Sequence, residues 1–217
     1  TAPVSINADR YQAALKAISC GADILIMDDG FQNPSLHKDL SFLIIDGKVG
    51  FGNCRPVPSG PLRENITSGL KRAQAAVIIG EDTSNVRPLL ADLPLFQARI
   101  KPQTPQDTSS PIIAFAGIGH PQKFYTSLQE CGFKLIACHD FPDHHFYTEA
   151  ELSSLIAEAA KEQAQLYTTA KDFVKIPPHL QSSFNVLEIQ IDWTDRPALE
   201  KFLLKQINEI ILKINHK

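Results

Sequence analysis

The four cysteines, Cys20, Cys54, Cys131 and Cys138, include no Cys-x-x-Cys pair, so neither a redox motif nor a zinc knuckle is indicated and a reducing compartment fits best. No apolar run reaches the roughly 18 residues of a membrane span, and the amino end lacks the charged-then-apolar pattern of a signal peptide. Positive charge is not in surplus: 21 Lys and Arg stand against 24 Asp and Glu, for a net charge of -3. Bulk attraction to nucleic acid or anionic lipid is thereby excluded, and a polyanion has to be met by a local patch. No internal repeat is visible. The chain opens on Thr1 without a methionine and runs directly into a helix-like segment, from which we expect a fragment of a longer protein.

What is present is an ordinary globular composition, 43% hydrophobic and 21% charged over 217 residues, enough to bury a core in one large domain or two small ones. Apolar runs of strand length at residues 24–27, 42–45, 75–79, 112–116, 135–138 and 186–191 alternate with helix-period stretches. The latter lie at residues 8–19, 62–73, 122–131, 149–162 and 197–214. That alternation predicts α/β layers around parallel sheets. The runs at 24–27 and 112–116 are continuous rather than alternating, as expected of strands covered on both faces. Lys101 to Pro111 carries three prolines and no large apolar residue, which predicts a solvated linker over 101–111. It would separate a partial α/β domain over 1–100 from a smaller α/β domain over 112–217, closed by the long helix near Pro197.

The run at 24–27 stops at Asp28, Asp29 and Gly30. In open parallel sheets ligands bind beyond the carboxyl ends of strands, and an apolar strand ending in Asp has the form of a Walker B segment, whose carboxylate serves magnesium beside nucleotide phosphates. The competing reading is a strand ending in a polar Asp-Gly turn. Residues 50–64 form a long loop rich in glycine and proline that leads to Arg63 and Glu64, with Pro61 suited to a first helical turn. Arg63 suits a phosphate and Glu64 a metal, or the two are a surface ion pair and a helix-start acid.

Phe141 to His145 follows another predicted strand, so one histidine could act there as acid, base or phosphate donor. Two adjacent histidines seldom reach one ion, which argues against zinc. A polar turn is the alternative, since Thr148 with Glu151 has the form of a capping box. Gly117 and Gly119 form a lone G-x-G, better explained by tight strand-to-helix packing than by a dinucleotide. Thr169, Lys171 and Asp172 close a strand end and are unremarkable by chemistry alone.

Taken in order, Asp-Asp-Gly-Phe-Gln at 28–32, Gly-Pro-Leu-Arg-Glu at 60–64, Ala-Gly-Ile-Gly at 116–119, Asp-His at 143–144 and Thr-x-Lys-Asp at 169–172 resemble the tetraacyldisaccharide 4'-kinase family. These enzymes of the lipid A (lipopolysaccharide) pathway move the γ-phosphate of ATP onto the 4' hydroxyl of an acylated glucosamine disaccharide 1-phosphate. The resemblance implies a partial P-loop-type parallel-sheet domain followed by a smaller, Rossmann-like α/β domain. It implies ATP and Mg2+ as cofactors, with Asp28, Asp29 and Glu64 on the metal side. Asp28, Asp29 and Gln32 would face the nucleotide, Arg10 and Arg63 the substrate, and His144 would be catalytic. Partners would be the acylated lipid and a membrane surface at the cytoplasmic face of the bacterial inner membrane, met through an amino-terminal region; no nucleic acid is implied.

The family's phosphate-binding G-x-x-x-x-G-K-[ST] loop and its Gly-Asp-Glu-Pro segment, whose aspartate is the implied general base, do not occur in these 217 residues. The chain is therefore expected to be inert alone. Ala170 stands where the family usually has Glu. Two other classes remain open on the residues: a glycosyltransferase holding a metal-bound nucleotide sugar at Asp28 and Asp29, and a non-catalytic nucleotide-binding α/β module.

Overall fold

A computed structural model describes residues 2–103 and 107–215. The chain divides into two compact units, Thr1–Arg99 with Trp193–Lys217, and Ile100–Asp192. In the first lie the strands β1 (Phe42–Asp46) and β2 (Ala75–Ile79), paired in parallel. β3 (Leu95–Pro102) pairs in parallel with β2, and β8 (Ile189–Trp193) completes the order β1-β2-β3-β8. The division between units falls within β3 and β8, which therefore carry the chain from one unit to the other.

β2 is central, and Ala75, Ala76, Val77 and Ile78 are all buried, which accounts for its unbroken apolar sequence. Ile45, Ala76, Ile78, Val86 and Leu90 form the core, flanked by Leu43, Phe51 and Leu70. Burying one such Ile or Leu stabilises the fold by about 1.5–3 kcal/mol. α1 (Arg10–Ser19) begins at Asp9, whose carboxylate accepts from the amides of Tyr11 and Gln12 and so satisfies two donors the helix leaves open.

The second unit has the strands β4 (Pro111–Ala116), β5 (Lys134–Asp140), β6 (Gln165–Thr168) and β7 (Phe184–Val186), in the order β5-β4-β6-β7 and all parallel. β4 is the centre. Its Ile112, Ala114 and Ala116 face α3 (Pro121–Glu130) through Phe124 and Leu128. Ile113 and Phe115 face α4 (Glu149–Lys161) through Leu152 and Leu155. The two-residue alternation of a strand thus serves two cores, one on each face of the sheet. The capping box at Thr148 and Glu151 is formed: the Thr148 hydroxyl accepts from the Glu151 amide at 3.2 Å, and Glu151 accepts from the Thr148 amide at 2.7 Å.

The α/β architecture with parallel sheets is as the alternation predicts, and several particulars differ. Residues 24–27, expected as a buried strand, form no strand, and Ile24, Leu25 and Ile26 are 66%, 40% and 93% exposed. Among the described residues the run has no strand beside it to complete a ladder or cover its faces. Residues 186–191 are two strands, β7 and β8, in different sheets. The helix expected over 62–73 shrinks to α2 (Ile66–Leu70), and Leu62 instead forms a bridge with Pro56.

The long carboxy-terminal helix, α6 (Arg196–Asn215), does not close the second domain as its place in the sequence suggests and instead groups with the first unit. Its Phe202 packs against Phe42 of β1 and Phe96 of β3 at centroid distances of 5.9 and 5.4 Å, a tilted and edge-on cluster that anchors it. Of the connection expected over 101–111, residues 104–106 lie outside the described residues; β3 runs to Pro102 on one side and β4 starts at Pro111 on the other.

Candidate active site

In the first unit, the predicted site residues 28–32 lie on a turn rather than at a strand end. Asp29 has φ 47°, in the left-handed region that aspartate tolerates better than most residues. Gly30 permits the turn, since a Cβ there would lie 2.6 Å from that of Met27. Arg63 reaches this turn from the far end of the 50–64 loop, its Nη1 donating to Asp29 Oδ2 at 3.1 Å and Oδ1 at 3.3 Å. Glu64 beside it accepts from Gln32 Nε2 at 3.2 Å and from Arg72 Nη2 at 2.6 Å. The Arg72 hydrogen bond, outweighing the opposing effect of burial and helped by Gln32, holds the Glu64 carboxyl below its ordinary pKa. The Arg72 guanidinium also lies 4.9 Å from the centroid of the Phe31 ring.

Gln32, Arg63 and Glu64 are thus brought to one turn, while Asp28 and Arg10 are exposed and take no part in the network among the described residues. A convergence of Asp28, Asp29 and Glu64 on one ion is not formed: among the described residues no three His, Cys, Asp or Glu side chains are grouped to hold a metal. The physical reason is that Asp29 and Glu64 are each engaged by an arginine, and Asp28 does not extend from a strand in the sheet. The oxygen donors are of the type magnesium takes, but their arrangement in this chain does not fit an ion. Arg72 is the residue that sequence reasoning missed. Its position eight residues after Glu64, just past a short helix, carries no motif. An open depression of about 780 Å3 adjoins the turn, lined by Phe31, Gln32, Leu36, Lys38, Glu64 and Arg72 among others.

In the second unit, three neighbouring parallel strands end together. Beyond β4 comes Gly117, beyond β5 the segment from Phe141 to His145, and beyond β6 the short helix α5 (Ala170–Phe173), capped by Thr169 and carrying Asp172. The first holds the second by its carbonyls: Phe141 N–H donates to Ala116 O at 2.9 Å and His144 N–H to Gly117 O at 3.1 Å. His144 has φ 59° and an 88% exposed side chain whose Nε2 lies 3.9 Å from Asp143 Oδ2. A histidine held in the left-handed region and directed outwards is a strained placement of the kind that collects at functional sites.

His145 does the packing. It stacks on Phe141 at 5.0 Å, meets Tyr147 edge-on at 5.1 Å, and its Nε2 lies 3.2 Å from Glu151.

Asp172 is fully buried. It accepts from Gly117 N–H at 3.0 Å, Thr169 Oγ1 at 2.8 Å and Lys175 Nζ at 2.8 Å. Burial raises its pKa, but Lys175, the Gly117 amide and the Thr169 hydroxyl outweigh that and leave it below the ordinary aspartate value. Burial, and then the Asp172 charge, push the Tyr147 hydroxyl above its usual range. The sequence shows these residues as a motif without showing that the carboxylate is interior. A Thr-x-x-Asp pattern after a strand, with a lysine three residues on, is the available signal.

The chain matches a family profile described as tetraacyldisaccharide-1-P 4'-kinase over residues 1–208. Over 202 residues it is 45% identical to the tetraacyldisaccharide 4'-kinase of Paramagnetospirillum magneticum, which covers 91% of this chain and 62% of that one. With the enzyme of the same name from Gluconacetobacter diazotrophicus it shares 44% identity over 93% of this chain and 63% of the other. Its fold aligns with the crystal structure of the apo form of LpxK from Aquifex aeolicus in complex with ATP, at a TM-score of 0.70 and 26% identity, over 91% of this chain and 62% of that one. The chain therefore spans somewhat less than two thirds of the length of these relatives. With a match through nearly all of its length and both clusters of site residues inside it, the chain belongs to the tetraacyldisaccharide-1-P 4'-kinase family.

Proposed function

We propose that this chain forms the carboxy-terminal part of a kinase that transfers the γ-phosphate of ATP to the 4' hydroxyl of an acylated glucosamine disaccharide 1-phosphate in lipid A biosynthesis. The observation that carries this reading is family membership across residues 1–208. The alignment with an ATP-bound relative supports ATP as the phosphate donor.

Phosphoryl transfer demands little covalent chemistry from a protein and depends on positioning and on stabilisation of charge. The residues here suit those tasks. Arg63 is an exposed guanidinium held on the turn at Asp29 by a pair worth about 0–1 kcal/mol, so it can exchange that partner for a phosphate oxygen at small cost. Glu64 and Gln32 are tied together beside it and order the same turn. His144 is held rigidly by its backbone while its imidazole stays free to point at a reacting group; its role is to orient or polarise the base that takes the hydroxyl proton. Arg10 is the second anchor for an anionic group. Magnesium belongs to the complete reaction, but the carboxylates of this chain do not fit an ion as they stand and no step is assigned through it.

A lipid acceptor and a nucleotide donor place the reaction at a membrane surface facing the cytoplasm, and in bacteria that is the inner membrane. Among the described residues no helix is long and apolar enough to cross a bilayer. Attachment is assigned to the part of the relatives' length that this chain does not span. The phosphate cradle is assigned there too, since helix-start amides and a lysine are what hold the β- and γ-phosphates.

The test is a phosphate-transfer assay with labelled ATP and the acylated disaccharide 1-phosphate. It compares the 217-residue chain with a protein extended at its amino end to the length of the relatives. Label should enter the lipid with the extended protein and not with the shorter chain. Absence of transfer by the extended protein, or transfer of a glycosyl group from a nucleotide sugar instead, overturns the reading.

A further inference from the structure

The buried carboxylate of Asp172 lies at one end of a chain of hydrogen bonds that finishes at the backbone of His144. Asp172 Oδ2 takes the amide proton of Gly117, and Gly117 O takes the amide proton of His144, at 3.0 and 3.1 Å. A second tie joins the two strands themselves, where Thr168 Oγ1 donates to Phe115 O at 3.0 Å. The end of β6 therefore grips the end of β4, and the end of β4 grips the histidine segment at both Phe141 and His144. We propose that Asp172 is a positioning residue for His144, acting through Gly117 and touching neither phosphate nor sugar itself. The proposal rests on His144 serving the kinase reaction as described above.

Three features single out this role from ordinary core packing. A fully buried carboxylate costs several kcal/mol to desolvate unless it is paired and hydrogen-bonded. The pairing here is complete, with Lys175 neutralising the charge at 2.8 Å and Thr169 filling a further acceptor site. A polar anchor of this kind is an expensive way to hold a loop where an apolar contact would serve, and it is directional where an apolar contact is not.

Second, the space around Gly117 is tight enough that even a methyl group would displace its neighbours by a few tenths of an ångström. A Cβ there would stand 3.0 Å from Tyr147 Oη, 3.2 Å from Pro142 O and 3.3 Å from Asp172 Oδ1. The peptide that links Asp172 to His144 is therefore clamped from both the anchor side and the histidine side.

Third, the object being held is strained. His144 at φ 59° keeps that conformation only while its surroundings impose it, at a cost of about 1–3 kcal/mol. Its own side chain is exposed and supplies no packing that would do so. Three hydrogen bonds impose it: His144 N–H donates to Gly117 O and to Asp143 Oδ1, at 3.1 and 3.0 Å, and His145 N–H closes the local turn on Pro142 O at 3.1 Å.

The test is a double-mutant cycle in the amino-terminally extended protein, with Asp172→Asn, His144→Ala and the two together. Asp172→Asn should lower turnover about 10-fold or more, as loss of an outer hydrogen-bonding partner does elsewhere, and leave the KM for ATP within about twofold. The double variant should be no slower than His144→Ala alone, because a residue that acts through another has nothing to add once that one is gone. Multiplying losses, an unchanged turnover, or a loss confined to KM overturns the proposal.

If Asp172→Asn does not fold, Gly117→Ala, which retains the Asp172–Lys175 pair, takes its place in the same cycle with the same expected outcomes. Should His144→Ala itself leave turnover intact, it is the role of His144 that fails. The anchoring is then decided separately by amide hydrogen exchange in the 217-residue chain. Exchange at His144 should rise about 10-fold or more in the Asp172 or Gly117 variant if the anchor holds it, and unchanged exchange refutes the anchor.

Discussion

Arg63 and Asp29, 34 residues apart in the chain, meet in an exposed ion pair whose Nη1–Oδ2 distance is 3.1 Å. Exposure makes the pair a weak tether. Replacing Arg63 with Ala should change the stability of the chain by no more than about 1 kcal/mol. In the extended protein it should lower turnover or raise the KM for ATP or for the lipid by at least about 10-fold, the usual cost of removing a charged contact to a phosphate. Thermal unfolding and steady-state kinetics check both halves, and a loss of stability that matches the loss of activity would make Arg63 structural.

Arg72 should behave in the opposite way. It binds Glu64, which is 23% exposed, and lies over Phe31, so Arg72→Ala removes an ion pair and a cation–π contact together. We expect a loss of about 1 kcal/mol in denaturant unfolding. A rise in the pKa of Glu64 should accompany it, visible by NMR titration, because the Arg72 hydrogen bond is the main cause of its depression.

The two histidines divide by environment. His144→Ala in the extended protein should cost turnover with little change in ATP binding, since positioning a base matters chiefly in the transition state. His145→Ala should cost stability, about 1 kcal/mol from the lost ring contacts with Phe141 and Tyr147, and little turnover. Equal losses of turnover at both positions would mean that the wrong imidazole has been assigned.

Acid should weaken the second unit through Asp172. Its folded pKa is below the ordinary aspartate value, so the charged form contributes stability that is present above about pH 3.9 and is lost as pH falls through the depressed folded value. Unfolding free energy measured from neutral pH downwards should fall in that acid window, and the Asp172→Asn variant should be less stable at neutral pH and flatter below it. An identical acid limb in both proteins would assign that limb to other carboxylates.

Exposure predicts the fate of two isoleucines that look alike in sequence. Ile26 is 93% exposed and Ile78 fully buried. Ile26→Ser in this chain should change stability by no more than about 0.5 kcal/mol, whereas Ile78→Ala should cost about 2–5 kcal/mol. A large effect at Ile26 would show that residues 24–27 are packed after all.

That contrast also marks where the sequence can be followed and where it cannot. The apolar runs at 24–27 and 112–116 carry the same pattern, and only the second is a strand, because burial on two faces requires neighbours that no local pattern reports. β4 has β5 and β6 beside it and helices on both faces; residues 24–27 have neither. The α/β layering and the capping box at Thr148 are legible, since both arise from spacing within a few residues. β3 is not: Leu95–Pro102 carries Gln97, Arg99 and Lys101 within it, which hides an alternating strand among charges.

At the site, Arg63, Glu64 and Gln32 are legible as an ordered set. Their partners Asp29 and Arg72 decide what the carboxylates can do, and contacts over 34 and 8 residues leave no trace in spacing. Asp172 is visible as a motif member, while its burial depends on three strand ends meeting.

A 4'-kinase is defined by the oxygen to which it adds phosphate. The acylated disaccharide 1-phosphate would be incubated with ATP and the extended protein, and the product examined by 31P NMR and by tandem mass spectrometry. One new phosphomonoester should form, on the 4' oxygen of the distal glucosamine, and none when the 217-residue chain is used alone. A product phosphorylated elsewhere, or an acceptor returned unchanged by a folded extended protein, would contradict the proposed function.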